Sequence, residues 1–287
     1  MPLQNEMIIV LIASVMLAMG LALKPIDFVH AVRRPIPLLL ILLVNTLVLP
    51  LVGWGLGAHL SAAMALALLL AGACGVGSTA PLFTANVRGD IALATTAVVV
   101  SGFVCLLTLP LTLALAGVSL PASEAVSAQV SIQTIAEQAF LTMLVWQVLP
   151  LLLGMWVHHL NPLLAKRWAK RFKTLGNVAL GLLMVGFMLF KGHLFLTVPL
   201  PELGVMAALV AATYVLPLAL VRYRWGTSLL FSSCTRNLNL ALLLASQVFA
   251  SDELVLAILC YATLMYCLLV PFTLLLRKQE SRWEATV

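Results

Sequence analysis

Arg236 stands near the middle of an apolar run, Thr227–Ala250, where few residue types are harder to place. A guanidinium at the centre of a bilayer costs about 2.5–3.5 kcal/mol on insertion scales, so it must face a cavity, a partner or a bound anion. No Asp or Glu lies in the middle of any apolar run: Asp27, Asp90, Glu137, Asp252 and Glu253 all fall near ends. Two sources of counter-charge are therefore open. One is an anionic ligand, and the other is a set of backbone carbonyls freed where a helix breaks. Arg236 sits among six polar residues in eight positions, Ser232, Ser233, Thr235, Arg236, Asn237 and Asn239. Asn237 offers both a donor and an acceptor.

A second cluster lies in the run Leu60–Arg88, which Gly72, Gly75, Gly77, Ser78, Thr79 and Pro81 interrupt. If the two interruptions meet, Ser78 and Thr79 converge on Arg236 and Asn237. Half-helix N-termini would add free N–H groups suited to a carboxylate or sulfonate. Hydroxyls at membrane depth also bond their own backbone, and that reading stays open for each of them. Asn45 is a further polar side chain at depth, as a ligand group or as an interhelical hydrogen bond. Gln147 and Asn177 read as structural.

The elements that must position these residues follow from composition. The chain of 287 residues is 63% hydrophobic and 9% charged, against roughly 45–50% and about 25% in soluble domains. With a mean hydropathy of +1.12, the solvent that accepts this surface is a lipid bilayer. The net charge of +6 reads as cytoplasmic loop charge, not as a nucleic-acid footprint. Runs long enough to span are Met7–Leu23, Pro37–Gly57, Leu60–Arg88, Ile91–Gly117, Ile135–Val157, Leu175–Phe190, Leu203–Leu220, Thr227–Ala250 and Leu254–Leu276. Met7–Leu23 reads as a retained first helix, because Glu6 and no cation precedes it. Ser131–Phe140 is amphipathic and reads as lying partly at the surface.

Nine spans put Lys24, Arg33, Arg34, Arg88, Lys166, Arg167, Lys170, Arg171, Lys173, Arg222, Arg224, Arg277, Lys278 and Arg282 on one side. The other side holds Glu6, His59, Glu124, Lys191, His193, Glu202, Asp252 and Glu253. That asymmetry predicts the N-terminus outside and the C-terminus in the cytoplasm of a cell membrane, a bacterial inner membrane. The two interrupted runs enter from opposite sides, and each is followed by one further run. This is the pattern of inverted-repeat carriers with broken helices. It predicts one transporter domain over residues 1–287, with a four-helix repeat in 1–120 and a five-helix repeat in 130–280. Pro50, Pro110, Pro150, Pro217 and Pro271 are expected to kink or end helices.

Catalysis finds no support. All five histidines lie in loops or near ends, no carboxylates pair, and no glycine-rich phosphate loop with a following Lys is present. Cys74, Cys105, Cys234, Cys260 and Cys267 sit in apolar runs at no metal-ligand spacing, so no metal, cofactor or disulfide is implied.

The chain resembles the bile acid:sodium symporter superfamily. The likeness is carried by Lys24-Pro25-x-Asp27-Phe28, Arg34-Pro35, Asn45, Pro50, Gly77-Ser78-Thr79 and Arg88-Gly89-Asp90-x-Ala92-Leu93. It continues through Leu149-Pro150 to Gly154 and Arg236-Asn237-x-x-Leu240-Ala241. It implies an all-α integral membrane fold of about nine transmembrane helices, with inverted repeats, panel and core domains, and two broken helices that cross. Nine-helix members lack the first helix of the ten-helix form, which fits the short first half. It also implies carriage of small organic anions, carboxylates or sulfonates, with two sodium ions.

Several positions depart from the pattern the resemblance implies. Ala80 and Pro81 stand where a Ser-Asn pair would bind sodium. Ala94 and Val98 replace hydroxyls, and Ser232 and Arg236 stand where a Glu and a Gln would be. Asn45 matches a Gln at the second ion site, and Ser78 and Asn237 match polar positions near the substrate. A guanidinium within a few ångström repels Na⁺, so both usual sodium sites are expected to be absent, with Arg236 in place of a bound cation. Other readings are an auxin-efflux-like or arsenite-permease-like exporter and a non-transporting receptor or sensor. A channel lacks a filter pattern.

Overall fold

The computed structural model describes residues 2–22, 35–58, 60–117, 132–218 and 224–284. Lys24, Asp27, Arg33, Arg34, His59, Glu124 and Arg222 lie outside them. So do the side chains of Asn177, Lys191, His193, Arg224, Lys278 and Arg282. Among the described residues the regular structure is all helical, and the runs Leu60–Arg88 and Thr227–Ala250 are each broken into two helices.

The elements are α1 (Pro2–Ala22), α2 (Pro35–Gly57), α3 (Ala62–Ala73), α4 (Ala80–Asn86), α5 (Ile91–Gly117) and α6 (132–160). They continue with α7 (Pro162–Thr197), α8 (Leu200–Leu218), α9 (Arg224–Cys234), α10 (Leu238–Gln247) and α11 (Asp252–Glu284). Four stretches are long and apolar enough to cross a bilayer: Pro35–Gly57, Ile91–Leu115, Glu137–Leu160 and Asp252–Arg277, with mean hydropathies of 2.5, 2.4, 1.9 and 2.3. Their large outward side chains, such as Leu39, Leu107, Leu149 and Leu275, suit lipid contact. Shorter apolar helices, Ala62–Ala73 and Leu238–Gln247 among them, fill the interior.

Two helices carry a π-turn. In α2 it is Val44–Val48 and in α6 it is Leu144–Val148, and each is followed by Leu-Pro. The cause is local. Leu49 N–H turns back to the Val44 carbonyl, and Pro50 has no N–H to offer the Asn45 carbonyl. Leu149 does the same with Leu144, ahead of Pro150. Pro110, Pro217 and Pro271 sit inside continuing helices.

Two stretches differ from the sequence expectation. Ile132–Met143, part of the amphipathic stretch, begins α6 three residues before the expected span Ile135–Val157. The cationic stretch Lys166–Lys173, expected in a loop, forms the first turns of α7. Asn161 caps that helix by accepting from Leu164 N–H at 3.0 Å, and Pro162 occupies the first turn. The Lys, Arg, Leu and Ala that follow are good helix formers, so no loop intervenes.

In packing, α1 lies along α7 and the second part of α6. Helix α3 lies against α2 and α11, and α9 touches α4, α5 and α8. The main core gathers Leu68, Leu70, Phe231, Leu242, Ile258 and Tyr261 around the broken helices.

Candidate functional site

The first break begins where α3 ends at Ala73. Gly75 adopts φ +69, a left-handed conformation that only glycine takes without cost. Val76 N–H then donates to Ser101 Oγ on α5 at 3.1 Å. The chain turns through Gly77, Ser78 and Thr79 and enters α4 with Pro81 in its first turn. At the second break α9 ends at Cys234, and Asn237 caps α10 by accepting from Leu240 N–H at 3.4 Å.

The two breaks touch through their backbones. Val76 and Arg236 form an isolated antiparallel bridge. Gly77 N–H donates to the Thr235 carbonyl at 2.8 Å, and Asn237 N–H donates to the Gly75 carbonyl at 3.2 Å. A Cβ on Gly77 would lie 2.6 Å from the Arg236 carbonyl, so nothing larger fits there. Sequence reasoning placed the breaks, and tertiary contact pairs them.

Arg236 closes the junction. A helix end leaves four carbonyls without intrahelical donors. At the end of α3, Leu70 receives Cys74 N–H at 2.9 Å. Ala71 receives Arg236 Nε at 2.7 Å, and Gly72 receives Arg236 Nη2. Ala73 receives the Cys105 thiol at 3.3 Å. Arg236 Nη1 donates to Asn45 Oδ1, and Nη2 lies 3.5 Å from the Asn45 carbonyl freed by the π-turn. Asn45 Nδ2 donates to the Ile41 carbonyl at 2.7 Å, which fixes the orientation of the amide. The cation therefore sits at the negative end of the α3 dipole, the favourable end for it. It is 3% exposed, and its hydrogen bonds among the described residues go to no carboxylate.

Most hydroxyls near the second break bond their own helix. Ser233 donates to Leu229 at 2.9 Å and Thr235 to Phe231 at 2.6 Å. Ser232 Oγ is buried with no hydrogen-bond partner. Ala80, Ala94 and Val98 are buried and offer no side-chain oxygen.

Ser78 and Thr79 are placed differently. With Pro81 they line a cavity of about 360 Å³. Its other walls are α1 (Val15, Met19), α5 (Thr95, Val98) and the start of α7, which contributes Lys170 and Lys173. Arg236 and Asn237 are buried behind the break, outside that lining. The four candidate ligand residues thus divide into a cavity pair and a buried pair. Gln147 Nε2 reaches the Gly102 carbonyl at 3.4 Å, a structural contact. The two cavity lysines and Thr95 were missed as site residues. Their only signal was the charge of the Lys166–Lys173 stretch and one hydroxyl in an apolar run.

A family model described as the Sodium Bile acid symporter family matches residues 9–198. The chain belongs to the sodium bile acid symporter family. It is accordingly a multi-pass membrane protein of a transporter family. The matched stretch contains the first break, Asn45 and the cavity lysines, and it ends before the second break. The chain is also similar to YocS of Bacillus subtilis (strain 168), an uncharacterized sodium-dependent transporter. Identity there is 29% over 109 residues, which are 37% of this chain and 34% of that protein. The match thus spans about a third of the relative's length.

Proposed function

We propose that the protein is a secondary transporter of small organic anions that works by alternating access without two-sodium symport. Its architecture is nine spans in two inverted repeats, residues 1–120 and 130–280, in a bacterial inner membrane with the N-terminus outside. The π-turn and Leu-Pro found once in each half support the repeat. So do the two breaks that meet backbone to backbone.

The observation that carries the coupling claim is the bonding of Arg236. Its guanidinium gives charge and hydrogen bonds to the Ala71 and Gly72 carbonyls and to Asn45. A bound cation at this junction would interact with the same negative helix end. An ion contributes stability that depends on its concentration, whereas a tethered cation contributes at any concentration and cannot be released to a gradient. Arg236 is then a fixed structural cation, and Ser78 and Thr79 face the substrate. Sodium dependence in the name of the Bacillus relative is said of that protein.

The test is uptake of organic anions into proteoliposomes with a sodium gradient and with choline in its place. Equal uptake in both is expected. A strong sodium requirement overturns the coupling claim, and anion binding with no flux would mark a receptor.

A further inference from the structure

Five cations occupy the first turns of α7, and they divide by face. At 100° per residue, Lys166, Lys170 and Lys173 fall on one stripe, while Arg167 and Arg171 fall on the next. Arg171 is committed away from the cavity, with its guanidinium 5.2 Å from the Trp168 ring. Lys170 and Lys173 line the cavity opposite Ser78 and Thr79. Among the described residues that line it there is no carboxylate. The charged groups among those residues are the two ammonium groups at an exposed rim, and the deeper walls are Val15, Met19, Val98 and Val99.

We propose that Lys170 and Lys173 are the groups that bind the anionic head of the transported solute, with its apolar body lying against α1 and α5. This rests on the carrier reading above and deepens it. It moves charge recognition from Arg236, whose three nitrogens each donate inside the junction, to the mouth of the cavity. A volume of about 360 Å³ is near the small end of ligand pockets, roughly 300–1,000 Å³. The chemistry that fits is a short aliphatic carboxylate or sulfonate. Lysine suits this task because an ammonium on a flexible stem can follow the head group as the cavity changes shape.

The experiment places a reporter thiol in the cavity wall. Ala22→Cys is made in a Cys267→Ser background, since Cys267 is the exposed native cysteine and the other four are buried. The full-length protein in phosphatidylcholine nanodiscs is reacted with an anionic and a cationic methanethiosulfonate. Adding Lys170→Gln with Lys173→Gln should lower the anionic-to-cationic rate ratio about tenfold. That is the order expected for two nearby unit charges acting with opposite sign on the two reagents. Arg167→Gln with Arg171→Gln removes the same charge from the other face and should leave the ratio unchanged. Hexanesulfonate should protect the thiol in the lysine-containing protein, and hexanol should not. An unchanged ratio after the lysine substitutions, or an equal fall after the arginine ones, overturns the proposal. If preference and protection persist while no organic anion is transported, the carrier reading fails and the lysine site stands.

Discussion

Removing the Arg236 side chain strips donors from several buried acceptors at once. Arg236→Ala leaves the Ala71 carbonyl, the Gly72 carbonyl and Asn45 Oδ1 without their partner. Each unmet buried acceptor costs about 1–3 kcal/mol, while loss of the guanidinium relieves a desolvation penalty of several kcal/mol. The partners left behind are neutral, so no buried charge goes uncompensated, and the acceptor penalties less the desolvation relieved give a net loss of about 1–4 kcal/mol. Denaturant titration in detergent can follow it by reaction of a thiol dye with Cys74, Cys105 and Cys234, which are buried in the folded protein. Arg236→Lys should fall between Arg and Ala, because an ammonium keeps the charge but lacks the planar fork that reaches three acceptors. Arg236→Met fills space without donors and should resemble Ala. A double-mutant cycle with Asn45→Ala should show a coupling of about 0.5–3 kcal/mol. An Ala variant as stable as the parent, or a Lys variant no better than Met, would refute the account of Arg236 as the cap of α3.

Gly77→Ala should destabilise the junction strongly, because its Cβ would meet the Arg236 carbonyl at 2.6 Å. Gly55→Ala, with nothing within 4 Å of the added carbon, should melt at or above the parent temperature, and equal effects at the two positions would contradict the packing described. Ser232→Glu with Arg236→Gln supplies the residue pair that the family resemblance associates with sodium. That variant should gain stability in NaCl over choline chloride, by about 2.7 kcal/mol at a hundred times its Kd, while the parent shows no difference. A parent that responds equally would show that Arg236 does not replace an ion.

Composition and periodicity alone determined that the chain is helical and lives in lipid, because apolar surface on this scale has no other solvent. The run Ile91–Gly117 coincides with α5. Both breaks were legible too, since several glycines or polar residues cluster at each of them within an otherwise apolar run. The basic start of α7 was misplaced in a loop because charge was taken as a loop signal, although Asn161 and Pro162 carried the cap.

Tertiary structure alone decided what Arg236 bonds to. Its partners lie 164, 165 and 191 residues away, and most of them are main-chain carbonyls. A carbonyl has no residue type, so nothing in the sequence marks it as a ligand. What frees it is local geometry, the end of α3 and the π-turn of α2, but only packing brings those carbonyls and Arg236 together. The division of Ser78 and Thr79 from Arg236 and Asn237 has the same origin. The backbone bridge between the breaks turns one pair toward the cavity and buries the other behind it.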